Sequence, residues 1–298
     1  MRQHPLFWPY AALALVCIFW GTTYVAIKMA LESFPPLILV SSRFIISGTL
    51  ILSAARLWGQ PLPRGRELLL TAVSGLLPLG VANGALTYSQ TLIPSSLASL
   101  YITTAPFWLV GMEALSGGER LRGRTLVAML VGFLGTAWLL APDSSGFAAN
   151  NVKGFLLLQF ANLAWGAGAV LFRRRGASGQ PSCHPIISGG LQQLATGLAV
   201  GVILLFAPAQ KPIVWSTQGT LAVLHLVVFG SIVAYSAYVY CLDKLPMSLV
   251  SIYTYINPLV AVSLGWFFYR EPVGWREFAA MAIIFLGVYL VKRSQRRS

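Results

Sequence analysis

Residues 94–135 read PSSLASLYITTAPFWLVGMEALSGGERLRGRTLVAMLVGFLG, and residues 246–287 read PMSLVSIYTYINPLVAVSLGWFFYREPVGWREFAAMAIIFLG. Adding 152 to each number of the first stretch lays Pro94, Ser96, Leu97, Ser99, Tyr101, Pro106, Glu119, Arg124, Ala128, Met129, Phe133, Leu134 and Gly135 on identical residues of the second, without a gap. Identities kept in register through two helical spans and the charged loop between them mark a duplicated unit. Further out, Trp20-Gly21 in the first apolar run and Trp165-Gly166 in the sixth repeat at an offset of 145. The duplication therefore reaches the start of each half, and the extra residues of the second copy are assigned to the loop between Arg173 and Pro185. The expected units are residues 1–145 and 146–298.

Of the 298 residues, 56% are hydrophobic and 10% charged, with a mean hydropathy of +0.72. A soluble core needs less, so the composition is that of a chain crossing the membrane many times. Apolar runs of bilayer-spanning length fall at residues 8–30, 36–57, 67–90, 95–116, 123–141, 152–172, 185–207, 217–241, 247–269 and 274–292. The expected fold is an all-α membrane protein of ten transmembrane helices, arranged as two five-helix repeats.

The net charge of +13 resembles a nucleic-acid signal until the basic residues are set against these runs. Arg56 to Arg66, Arg120 to Arg124, Arg173 to Arg175, Lys244 and the terminal Lys292 to Arg297 cluster occupy alternate loops, whereas the other loops hold only Lys153, Lys211, Arg270 and Arg276. By the positive-inside rule both termini are cytoplasmic. The basic character records topology and attraction to anionic lipid, and no nucleic-acid partner is expected. With five helices per unit, the second copy enters the membrane inverted. Inverted repeats suit alternating access, because exchanging the conformations of the halves turns an inward-open protein outward-open. A carrier follows from topology before any motif is read.

Cys17, Cys183 and Cys241 are odd in number and imply no disulfide framework. The short basic segment before the first run lacks a small-residue cleavage pattern, so that run is expected to stay as an anchor. A bacterial inner membrane, or another plasma-type membrane, is the expected location.

The run Ile18-Phe19-Trp20-Gly21-Thr22-Thr23-Tyr24-Val25-Ala26-Ile27-Lys28, with Phe34-Pro35-Pro36 and Ser42-Arg43-Phe44, resembles the opening of EamA-type transporters of the drug/metabolite transporter superfamily. Gly118-Glu119-Arg120 and Arg270-Glu271-Pro272 resemble the Gly-Glu element after the fourth helix of each EamA unit, with Gly135 and Gly287 following. The resemblance spans essentially the whole chain. It implies a carrier for small metabolites, commonly an exporter of amino acids or related compounds, with no ATPase domain and no cofactor. The small multidrug pumps of that superfamily carry a glutamate three residues before the glycine of helix one, whereas Ile18 and Leu163 stand in those places here. Proton-for-drug exchange of that kind is not expected, and coupling is open between protons, another group and none.

Candidate binding residues are those whose polarity or shape needs a reason at membrane depth. Arg43, about two turns into helix two, is suited to bidentate recognition of a carboxylate. Lys28 reads as a structural residue tied to Glu32. Trp20 and Trp165 offer broad amphipathic faces beside glycine notches, and Asn83 with its repeat partner Tyr235 adds polar groups near the midplane. Pro106 and Pro258 each remove a backbone donor near mid-membrane and predict kinks bordering a site. Tyr101 and Tyr253, about a turn from these prolines in opposite senses, are expected to close opposite ends, and Asn257 adds an amide. His225 reads first as a hydrogen-bonded packing residue, Glu119 and Glu271 as loop or cap residues, and Gly80 with Gly84 as a helix-contact face. An intramembrane enzyme would need a nucleophile and base, paired acids or a metal-ligand cluster, none of which the scattered histidines and acids supply. An exporter of lipophilic cations is the alternative, disfavoured by the cationic and amide character of the candidates.

Overall fold

A computed structural model describes residues 7–115, 123–140, 149–177, 184–208, 210–245, 247–250 and 252–295. Among these residues every regular element is helical. In chain order the helices are α1 (Phe7–Leu31), α2 (Pro36–Leu57), α3 (Gly65–Ser89), α4 (Ser95–Ile102), α5 (Ala105–Leu115), α6 (Gly123–Leu140), α7 (Ala149–Ala177), α8 (Pro185–Phe206), α9 (Thr217–Lys244), α10 (Met247–Val250), α11 (Tyr253–Tyr269) and α12 (Trp275–Gln295). Six of them, α1, α2, α3, α7, α8 and α9, are each long and apolar enough to cross a membrane.

Local chemistry sets the ends of these helices. Pro36 and Pro185 occupy first-turn positions, where a missing N–H costs nothing. Before α8 the His184 ring accepts from the Ile186 amide at 3.3 Å, and before α9 the Ser216 hydroxyl accepts from the Gly219 amide at 3.0 Å. At the end of α11, Arg270 takes a left-handed conformation with φ 52°, which stops the helix and turns the chain.

Two departures from simple spans recur in both halves of the chain. The fourth and ninth apolar runs are each split in two. The first split falls at Thr103–Thr104, so Pro106 is the second residue of α5, where its missing donor is harmless. The second split precedes Tyr253, and Pro258 lies inside α11. The expected kink at Pro106 is thus a break two to three residues earlier, and the two halves place their breaks differently relative to their prolines. The other departure is a π-helical stretch within α3 at Leu76–Ala82, matched within α9 at Leu226–Val233. Such a stretch holds one extra residue per turn and rotates the remainder of the helix about its axis, which here carries Asn83 in α3 and Tyr235 in α9.

The helices meet through glycine. A Cβ on Gly48 of α2 would lie 2.5 Å from the backbone nitrogen of Leu194 in α8, and one on Gly197 of α8 would lie 2.6 Å from that of Ile45. Gly287 of α12 faces the backbone of Gly132 in α6 just as closely, and Gly21 of α1 receives Val260 of α11. Close approach of small residues replaces the hydrophobic driving force that lipid does not supply. The expected contact face at Gly80 and Gly84 is not of this kind: Gly80 makes an ordinary 3.5 Å approach to Thr196, and nothing lies within 4 Å of a Cβ on Gly84.

Candidate functional site

Residues of α1 to α5, α7, α9 and α11 enclose a cavity of about 80 Å³, several times the roughly 10–15 Å³ that one ordered water requires. Trp20, Arg43, Asn83, Trp165, Tyr235, Tyr253 and Asn257 all line it. The structure therefore gathers at one place all the sequence candidates for binding except Tyr101.

Arg43 is 4% exposed. Its Nε donates to the Ser231 hydroxyl at 2.7 Å, and its guanidinium lies 5.1 Å from the centre of the Phe44 ring. Gly230 makes room for it, since a Cβ there would come within 2.9 Å of Nη2. Among the described residues no carboxylate lies within salt-bridge distance of Arg43, and no protein acceptor takes its terminal nitrogens. A buried cation without an anion is expensive, which makes the position a candidate for ligand binding.

Behind Arg43 runs a polar chain that fixes its partner. Gln193 of α8 donates to the Ser231 carbonyl at 3.3 Å and accepts from the Ser47 hydroxyl at 2.5 Å. The neighbouring Gln192 accepts from the Tyr235 hydroxyl at 2.6 Å and donates to Ser74 at 3.0 Å. α8 thus orients the cavity residues Ser231 and Tyr235 of α9 through two adjacent amides, which also bond Ser47 of α2 and Ser74 of α3.

The side of the cavity towards the chain termini is an aromatic layer. Trp20 meets Trp165 edge-on at 5.5 Å, Tyr238 at 4.9 Å and Tyr253 edge-on at 5.0 Å, and Tyr238 meets Trp165 at 5.5 Å and Tyr253 at 5.8 Å. The Trp20 indole also donates to the Gly230 carbonyl at 3.1 Å, tying α1 to α9. Beyond this layer lies a second, smaller space of about 30 Å³, lined by Pro106, Leu109, Gly166, Tyr238 and Leu242 among others. Asn162, Trp165 and Tyr253 belong to both linings.

The break between α4 and α5 is held open by amides of α7. Gln159 and Asn162 donate to the carbonyl of Tyr101 at 3.5 and 3.4 Å, while Gln159 accepts from the Thr104 hydroxyl at 2.9 Å and the Trp108 indole at 2.7 Å. Irregular backbone at membrane depth survives only where such partners exist. On α11, the Asn257 amide in its better-satisfied orientation donates to the carbonyls of Cys17 at 3.0 Å and Tyr253 at 3.1 Å.

Other sequence candidates lie elsewhere. Tyr101 is fully buried in an apolar cluster, edge-on to Phe155 at 5.3 Å, and its hydroxyl has no hydrogen-bond partner among the described residues. Lys28 donates to the Gln90 carbonyl at 2.9 Å instead of meeting Glu32, which accepts from the Tyr269 hydroxyl at 2.5 Å. His225 bonds Thr22 at 2.8 Å and lies tilted against Phe229 at 5.1 Å, outside the cavity lining. Glu271 caps a helix, but not the one after it: it accepts from the backbone amides of Ser95 at 2.8 Å and Ser96 at 2.9 Å and from the Ser95 hydroxyl at 2.8 Å, at the start of α4 in the other half. Glu119 lies outside the described residues, as does the side chain of Glu113. The lining residues without a role in the sequence reading include Thr23, Tyr24 and Ser231. For Ser231 the repeat gave no signal, because the offset of 152 places it on an apolar residue, Leu79.

The comparisons agree with one another. The sequence pattern of the EamA-like transporter family matches residues 7–141 and again residues 152–293. The chain is similar to the "Uncharacterized inner membrane transporter YedA" of Escherichia coli strain K12, with 32% identity over 98% of this chain and 92% of that protein. It is also similar to an "Uncharacterized transporter" of Archaeoglobus fulgidus, with 26% identity over 96% of this chain and 99% of the other. A solved crystal structure superposes with a TM-score of 0.70 at 23% identity, covering 97% of this chain and 98% of that one, which speaks for the fold. Matched along both halves and related over nearly its full length to proteins named as transporters, this chain belongs to the EamA-like transporter family.

Proposed function

We propose that the protein is a secondary carrier that moves a small metabolite bearing a carboxylate, an amino acid or related organic acid, across the cytoplasmic membrane, in the direction of export. The carrying observation is Arg43, a buried guanidinium facing a cavity, with no acceptor among the described residues on its terminal nitrogens. In this reading Arg43 takes the carboxylate through paired hydrogen bonds. Trp20, Trp165 and Tyr253 receive the apolar body, while Asn83, Tyr235 and Asn257 supply polar contacts.

Transport in this reading is alternating access by ten spans in two inverted five-helix units, residues 1–145 and 146–298, with both termini cytoplasmic. The two family matches, the paired π-helical stretches and the two split helices support the duplication. The aromatic layer between the two cavities supports a barrier that parts as the units rock. Trp165 and Tyr253, which belong to both linings, are its moving members, and the breaks near Pro106 and ahead of Pro258 are the joints.

The test is counterflow of labelled carboxylates in proteoliposomes, with and without a proton gradient. Arg43→Ala and Arg43→Lys, reconstituted in amounts matched to wild type, should lose at least tenfold in rate. Unchanged flux in both would refute the assignment.

A further inference from the structure

The geometry points to a substrate that carries a carboxylate and a neutral hydrogen-bond donor but no ammonium group, so that a 2-hydroxy acid is preferred to the amino acid of the same shape. This rests on Arg43 as the carboxylate anchor and concerns what surrounds it. The described lining contains one cation and no acid.

The described acids lie elsewhere. Glu271 caps α4, Glu32 accepts from Tyr269, Glu277 accepts from the Gly274 amide at 2.7 Å, and Asp243 pairs with Lys244 at 2.8 Å. Glu67 lies in the first turn of α3, far along that helix from Asn83. Glu113 is eight residues beyond Ala105 on α5, about 12 Å along the helix axis from the part of α5 that reaches the cavity. Glu119 and Asp143 lie outside the described residues, beyond the ends of α5 and α6.

An ammonium in this cavity would sit beside Arg43 with no anion to offset it, and would need three acceptors. The acceptors on offer are neutral. The Ser231 hydroxyl already accepts from Arg43, and the Tyr235 hydroxyl gives its proton to Gln192, which leaves its oxygen open to a donor. Asn83 adds a buried amide oxygen without a donor, and Asn162, whose amide nitrogen donates to the Tyr101 carbonyl and the Thr104 hydroxyl, adds a second amide oxygen. Neutral acceptors satisfy a hydroxyl, whereas an ammonium beside Arg43 needs several of them and an anion as well, and the described lining supplies no anion. The aromatic layer then receives an apolar body of the size of a phenyl ring.

Thermal stabilisation of the purified full-length protein by three probes of matched shape tests this: 3-phenyllactate, phenylalanine and 2-phenylethylamine. The expected result is half-maximal stabilisation by phenyllactate at a concentration roughly tenfold or more below that for phenylalanine, with no effect of phenylethylamine. Arg43→Gln should remove the response to both acids, and Asn83→Leu should narrow the gap between them. If Arg43→Gln fails to fold, Arg43→Lys takes its place, with the same ranking at weaker affinity. Equal stabilisation by phenyllactate and phenylalanine would overturn the exclusion of ammonium while leaving the carboxylate anchor standing. Stabilisation by phenylethylamine alone, insensitive to Arg43, would overturn the anchor itself. A response to none of the three at millimolar concentration would refute the inferred substrate class.

Discussion

Replacing Glu271 should destabilise the protein in a graded way that tracks the hydrogen bonds it makes. One carboxylate oxygen accepts from the Ser95 amide and hydroxyl and the other from the Ser96 amide, and the residue is 7% exposed. In Glu271→Ala both amides at the start of α4 lose their acceptor in a place water hardly reaches. An unsatisfied buried donor costs about 1–3 kcal/mol, so two such donors give an expected loss of about 2–6 kcal/mol. Glu271→Gln keeps one oxygen and the shape, but loses the charge that favours a helix N-terminus, worth about 0.3–1 kcal/mol. Because its NH₂ then faces an amide donor, its expected loss is about half that of alanine. At roughly 2 °C or more per kcal/mol for a chain of this size, melting of the purified protein in detergent should fall in the order wild type, Glu271→Gln, Glu271→Ala. The last should lie several degrees below the first. Melting of Glu271→Ala within a degree of wild type would show that the link between the two halves is not holding α4.

Three further outcomes are expected from the geometry. Gly48→Ala should reduce folded yield or lower melting by the equivalent of about 1–3 kcal/mol, because its methyl would press on the backbone of Leu194, whereas Gly84→Ala should be neutral; equal effects would contradict the seam. Gln159→Leu combined with Asn162→Leu should cost more in thermal stability than either change alone, since only the pair strips the Tyr101 carbonyl of both side-chain donors. Trp20→Phe loses one hydrogen bond to Gly230, about 0.5–1.5 kcal/mol, while Trp20→Ala removes the ring that touches Trp165, Tyr238 and Tyr253 and should admit solute leak in proteoliposomes. A tight Trp20→Ala vesicle would argue against the layer as a barrier.

The six helices long and apolar enough to cross a membrane were legible because lipid imposes one requirement on a span, a long apolar run closed by polar or turn residues. The run expected at residues 36–57 is Pro36–Leu57, and that expected at 185–207 is Pro185–Phe206. The π-helical stretches were not legible, because one extra residue in a turn leaves no mark in an apolar sequence such as Leu226–Val233. Pro106 announced a broken helix but not where, since the break depends on which carbonyls Gln159 and Asn162 can reach. The cavity candidates were found by polarity at depth, which is why Arg43 and Asn83 emerged and Tyr24 did not. Tyr101 misled for the same reason: a repeat partner at equal depth says nothing about which way a ring turns. The partners of Glu271 and Lys28 are set by packing between elements distant in sequence, which spacing does not encode.

The glycine seam between α2 and α8 also bears on how this sequence can drift. Single-base changes in a glycine codon lead to alanine, serine, valine, cysteine, arginine, aspartate, glutamate or tryptophan, and each adds at least the one atom for which Gly48 and Gly197 have no space. Lipid-facing positions such as Leu198 and Ile203, on the same helix, can exchange one hydrocarbon for another. Neutral change along α8 is thereby confined to one face, and the two halves are held to a shared inheritance: an added atom at Gly48 persists only if α8 has already given way.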